Sequence, residues 1–84
     1  MADPVTLDEA KAFLRVEHAA EDALLMTMLA AARARVERMA GAILSDASPA
    51  PLRLAILMLC AAAYDGRDAP GLEGWVAPYR TVRL

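Results

Sequence analysis

The sequence has few of the residues on which catalytic and metal-binding sites depend. Among its 84 residues there is one histidine, His18, and one cysteine, Cys60. A single cysteine excludes an internal disulfide, and its place in an apolar segment predicts a small buried hydrophobic side chain. The carboxylates near His18, which are Glu17, Glu21 and Asp22, are typical of a solvated turn. We therefore predict no metal site.

Two further kinds of site are missing. The glycines at positions 66, 71 and 74 flank predicted helix ends and lack the strand and lysine that a phosphate-binding loop needs. Ser45, Ser48 and Cys60 are separated from His18 by whole predicted elements, and no nucleophile signature surrounds them. The sequence therefore predicts no cofactor and no enzymatic activity.

The sequence also lacks a strong excess of charge of either sign. The net charge is −2, and arginines and acids are interspersed along the chain, so there is no basic stripe for neutralising phosphates. Sequence-specific DNA binding is therefore disfavoured. The uncharged run from Leu54 to Tyr64 is shorter than the roughly 20 residues of a membrane span, so no membrane partner is predicted. The N-terminus lacks a secretory pattern, and we expect a cytoplasmic protein or part of an assembled particle.

Apolar residues at helical spacing are plentiful. They make up 58% of the chain, and because much of this excess is alanine, the composition favours tightly packed helices. Thr6-Leu7-Asp8-Glu9 has the form of a capping box and predicts a helix from Leu7 to about Arg15. No alternating strand pattern and no internal repeat is present.

A longer second helix is predicted to start at Glu21 and Asp22 and to end at Gly41. Its opposite side carries Arg33 and Glu37, which we expect to form an exposed pair. Its apolar stripe comprises Leu25, Met28, Leu29, Ala32, Val36, Met39 and Ala40. We expect the methionines to fill gaps in the core, and they are Met26, Met28, Met39 and Met58.

The third helix is predicted from Pro51 to Tyr64, and Asp65-Gly66 supplies its stop signal. It is almost wholly apolar, and we expect it to pack against the second helix. So small a chain offers little cover for this segment. We therefore expect the remaining apolar and alanine-rich surface to join neighbouring copies.

The C-terminal segment differs from the rest. A short helical turn is predicted over 72–77, and Pro78 leaves 79–84 extended. The predicted fold is thus an all-α bundle of three main helices with a short helical turn and an extended C-terminal tail. We divide it into a helical domain, residues 1–74, and a docking tail, residues 75–84.

Large amphipathic side chains are concentrated in this tail. Tryptophan, tyrosine and arginine are the usual anchors of protein interfaces. We therefore predict that the tail docks on a partner protein through Trp75, Tyr79, Arg80, Val82, Arg83 and Leu84.

The order of these segments resembles that of a known family. The resemblance rests on residues 6–16 before an acidic turn, on Glu21-Asp22-Ala23-Leu24-Leu25 at the start of a long helix, on the helix after Pro51, and on Ala77-Pro78-Tyr79-Arg80. In this order and spacing, the chain is similar to the head-tail connector, or adaptor, proteins of long-tailed phages and gene transfer agents.

The resemblance implies a structural role. Such proteins are small helical bundles that assemble into a homo-oligomeric ring, commonly a dodecamer, between the portal protein and the stopper or tail-completion proteins. DNA passes through the ring without sequence-specific binding. For this chain the likeness implies a place in the neck of a virion or phage-like particle, assembled in the bacterial cytoplasm, with the docking tail attached to the portal.

A different class of protein remains open at this point. The chain could be a small helical regulator or antitoxin-like dimer that binds DNA or a partner protein. A helix-turn-helix needs a recognition helix with polar side chains that reach the bases, whereas the predicted third helix is apolar. The sequence therefore favours the connector.

Overall fold

The chain folds into three α-helices. The computed structural model describes residues 3–68, 71–72, 76 and 78. The helices are α1 (Leu7–Leu14), α2 (Asp22–Ala40) and α3 (Ala50–Asp65). The amide of Val76 donates to the carbonyl of Leu72 at 2.9 Å, a helical spacing of four residues. No strand occurs in the described part of the chain, and the all-α prediction is confirmed.

The predicted capping box starts α1. The Thr6 hydroxyl accepts a hydrogen bond from the Glu9 amide at 3.1 Å, and a carboxylate oxygen of Glu9 accepts one from the Thr6 amide at 3.0 Å. The helix ends where Arg15 takes the left-handed conformation, with φ of 59°. The Val16 amide then bonds back to the Lys11 carbonyl at 2.9 Å, which satisfies a carbonyl of the last turn.

Glycines end the two longer helices. Gly41 and Gly66 have φ of 70° and 71°, in the left-handed region that costs glycine little. A side chain at Gly66 would meet no atom within 4 Å, so backbone conformation, not space, favours glycine there. The predicted ends of α2 and α3 are both confirmed.

The core lies between α2 and α3. These helices pack together more extensively than either packs against α1. Leu25 and Val36 of α2 and Ile56 of α3 are fully buried. Val36 and Ile56 belong to a core cluster that also contains Val5, Ala32, Ala40, Leu44, Leu52, Ala55, Leu59, Cys60, Leu72 and Val76. Most of the apolar surface of α3 is thus covered by the chain's own residues.

Two predictions about α2 are wrong in detail. Met26 is 58% exposed, so it does not fill the core. It lies one position after the buried Leu25, and this step of about 100° turns its side chain away from α3. Arg33 and Glu37 are bonded at 3.2 Å but are partly buried, because Arg33 also binds Asp3 and Glu37 also accepts from the Leu44 amide.

Polar contacts tie the ends of the helices together. Lys11 of α1 pairs with Asp22, the first residue of α2, at 2.8 Å. The Tyr64 hydroxyl, near the end of α3, donates to a Glu21 carboxylate oxygen at 2.6 Å. The hydrogen bond to Glu21, with a smaller contribution from desolvation, raises the pKa of Tyr64 above its usual value. These contacts hold the turn before α2 against both other helices.

Burial predicts different effects for two isoleucines. Ile56 is fully buried, whereas Ile43 is 69% exposed. Ile56→Val removes one methylene from the core and should lower the free energy of unfolding by about 1 kcal/mol. The control, Ile43→Val, should change it by less than about 0.5 kcal/mol. Urea denaturation measures both values, and equal losses would contradict the packing described.

The Tyr64 contact predicts a stability difference that depends on pH. Because the folded state raises the pKa of Tyr64, the contact stabilises the fold below the usual tyrosine value of about 10 and is lost as the pH rises through the higher folded value. Tyr64→Phe should therefore lower Tm at neutral pH, and the difference from the wild type should shrink in strong alkali. A difference that stays constant across this range would count against the contact.

Candidate functional site

The predicted docking residues all lie outside the described residues, and they are Trp75, Tyr79, Arg80, Val82, Arg83 and Leu84. Near the start of the C-terminal segment, Leu72 and Val76 are described. They are 4% and 0% exposed and belong to the core cluster. The division at residue 75 stays a prediction, and Val76, which it assigns to the tail, packs with the helices.

The single cysteine, Cys60, and the single histidine, His18, lie in different environments. Cys60 is buried in the core, and desolvation raises the pKa of its thiol. Its reactive thiolate form is therefore disfavoured. His18 lies exposed in the turn between α1 and α2. Among the described residues, no three histidine, cysteine or acidic side chains are grouped as metal ligands.

A groove runs between the N-terminal segment and α2. We call it the acidic groove, and its volume is about 410 Å³. Arg33 lies in it and binds Asp3 at 2.7 Å and Glu37 at 3.2 Å. One guanidinium thus serves two carboxylates, which leaves an excess of one negative charge. The lining residues are Asp3, Pro4, Val5, Leu7, Met26, Leu29, Ala30, Arg33, Ala34, Glu37 and Ile56.

A second groove lies between α2 and α3. We call it the basic groove, and its volume is about 390 Å³. Its charged residues are Arg35 and Arg67, and of these Arg67 contacts Asp65 at 3.3 Å. Arg35 is exposed and makes no ion pair with a described residue. The lining residues are Thr27, Met28, Ala31, Ala32, Arg35, Leu59, Ala62, Ala63 and Arg67.

The side of α2 that faces away from α3 is mostly apolar from Ala23 to Ala34, before the exposed Arg38. Ala23, Ala30, Ala31 and Ala34 are exposed there, and Leu24 is 47% exposed beside them. The Thr27 hydroxyl on this side donates to the Ala23 carbonyl at 3.2 Å, so this polar group already has a partner. Helices on the surface of a monomer normally carry polar residues here. We call these residues the outer face of α2.

The sequence indicated spare apolar surface but not its location. The expectation of alanine-rich surface left over on the helices agrees with the outer face of α2. The grooves were missed, since they depend on how the N-terminal segment and α3 lie beside α2. A usable signal was present in Met26 and Leu24, which fall outside the stripe that contains Leu25, Val36 and Ala40.

Within the described residues, every helix is too short or too polar to span a membrane.

Comparison with curated proteins and with solved structures gives no match. A family model does match, and it is described as phage gp6-like head-tail connector protein. The match runs over residues 4–77, from the N-terminal segment through all three helices to the residue after Val76. The chain therefore belongs to the family of gp6-like phage head-tail connector proteins.

Proposed function

We propose that this connector forms a ring in the neck of a tailed phage or gene transfer agent particle, between the portal and the stopper or tail-completion proteins. The family match over residues 4–77 carries this proposal. The ring has about twelve copies, as the resemblance implies, and DNA passes through its channel. The subunits assemble in the bacterial cytoplasm and stay in the finished particle.

The surface of the helical unit is suited to assembly. Two apolar grooves and the outer face of α2 offer contact area on several sides of one small subunit. Interfaces of assemblies combine apolar centres with charged rims, as both grooves do. We further propose that acidic residues face the channel, where the net charge of −2 for each copy would repel the DNA weakly.

Attachment to the portal is assigned to the C-terminal tail. Leu72, before this tail, and Val76, within it, are buried in the core, ahead of the proposed anchors from Tyr79 onward. We propose that Trp75, Tyr79 and Leu84 fill apolar pockets of the portal and that Arg80 and Arg83 pair with its acidic groups, with Val82 adding apolar contact. Aromatic and arginine side chains supply much of the binding energy of such contacts.

The rival proposal, a DNA-binding regulator, has less support. A recognition helix must expose polar side chains to the major groove. If α2 and α3 formed a helix-turn-helix, α3 would be the recognition helix. It instead buries Leu52, Ile56 and Leu59 in the core. The family match also names a structural role.

Deletion of residues 79–84 tests the docking tail. The deletion removes Tyr79 and the four proposed anchors that follow it, and it keeps Val76 and Pro78. The helices should stay folded, with unchanged circular dichroism, whereas particles should lose the connector and fail to join tails. Electron microscopy of the neck and a count of tailed particles measure this outcome.

A point substitution in the same tail supplies the control. Thr81→Ala changes a residue that is not among the proposed anchors and should leave tail joining at the wild-type level. Tail joining that stays normal after the deletion would overturn the docking role. A neck without a ring of this chain in wild-type particles would overturn the proposed function as a whole.

A further inference from the structure

We propose that neighbouring copies associate head to tail, with the acidic groove of one copy against the basic groove of the next. This inference rests on the proposed ring and assigns the surfaces that form it. The occupant of each groove is thus a second copy of this chain. Three features of the described residues lead to it, which are the positions of the grooves, their charges and their apolar linings.

The grooves lie on opposite flanks of one helix. Arg33 lines the acidic groove and Arg35 lines the basic groove. They are two positions apart in α2, which is about 200° around a helix. A contact between two such different surfaces repeats from copy to copy and closes into a ring or extends as a filament. A symmetric dimer would instead use one surface on both copies.

The charges of the two flanks are complementary. In the acidic groove, Asp3 and Glu37 share the single guanidinium of Arg33. In the basic groove, Arg35 has no ion pair with a described residue. Arg67 pairs with Asp65 at 3.3 Å, and both of these side chains are exposed. Opposite flanks therefore attract, whereas two copies of the same flank bring like charges together. Such complementarity fixes which surfaces meet and in which register.

Apolar contacts fill the space between these charges. The exposed Ala30 and Ala34 line the acidic groove, and the exposed Ala31 and Ala63 line the basic groove. Met26 is 58% exposed at the acidic groove, where its flexible thioether can adapt to a neighbouring surface. Between the grooves, the alanines on the outer face of α2 permit close approach of a second subunit.

One variant on each flank tests the assignment. Met26→Lys places a cation in the acidic groove, and Arg35→Glu places an anion in the basic groove. Each variant brings a like charge against the opposing flank and should weaken self-association by about tenfold or more. Sedimentation velocity over rising protein concentration measures the association, and circular dichroism with thermal unfolding checks that each variant is folded.

Matched controls carry the same new side chains at other exposed positions. Ile43→Lys changes a residue that is 69% exposed, and Arg15→Glu changes an exposed residue at the end of α1. Neither residue lines a groove. Both controls should associate like the wild type.

Mixing the two groove variants separates a head-to-tail contact from a symmetric one. The unchanged basic groove of the Met26→Lys copy still fits the unchanged acidic groove of the Arg35→Glu copy. The mixture should therefore associate although neither variant does so alone. If mixing restores nothing, the two grooves do not bind each other and the proposal is overturned.

Other outcomes also overturn it. These are a wild type that stays monomeric up to its solubility limit, and groove variants that associate as the wild type does. Stronger association after deletion of 79–84 would show that the chain's own end occupies a groove, which would overturn the assignment of that groove to a second copy.

Electron microscopy of the neck distinguishes failure of the groove assignment from failure of the proposed function. If both groove variants form complete rings in the neck, the proposed ring is correct and the groove assignment is wrong.

Discussion

The packing of α2 against α3 is the interaction on which the rest of the structure depends. α1 is only eight residues long, and an isolated helix of that length is marginal in water. It persists because the core formed by the longer helices offers it a surface, and because Lys11 and Asp22 join it to α2. The N-terminal Val5 and the C-terminal Leu72 and Val76 pack on the same core, so both ends of the described chain depend on it.

This dependence also explains why the surface of so small a domain stays apolar. Val5 lines the acidic groove, the basic groove lies between α2 and α3, and the outer face of α2 carries exposed alanines. A domain of 84 residues that folds alone gains little by exposing such surface. A subunit of a larger assembly gains contact area from it. Membership of the head-tail connector family indicates a structural role in a phage, and the ring that we propose would cover this surface.

Charged side chains hold several segments of this protein in place. Arg33 and Glu37, which lie on the same side of α2, hold the N-terminal segment and the start of the connection to α3 against this helix. Tyr64 and Glu21 do the same for the turn before α2. The same contacts set the charge of the flank that we assign to a neighbouring copy, so folding and assembly share these residues.

The sequence by itself determined the helices and their ends, because capping boxes, left-handed glycines and apolar periodicity are local effects of a few residues. Thr6, Gly41 and Gly66 allowed these limits to be predicted, and the order of the segments indicated the family. Only the tertiary structure decided that Met26 is exposed, that Arg33 and Glu37 are partly buried, and that grooves of opposite charge lie beside α2. These features depend on contacts between residues distant in sequence, such as Asp3 with Arg33, 30 positions apart, which no local pattern encodes.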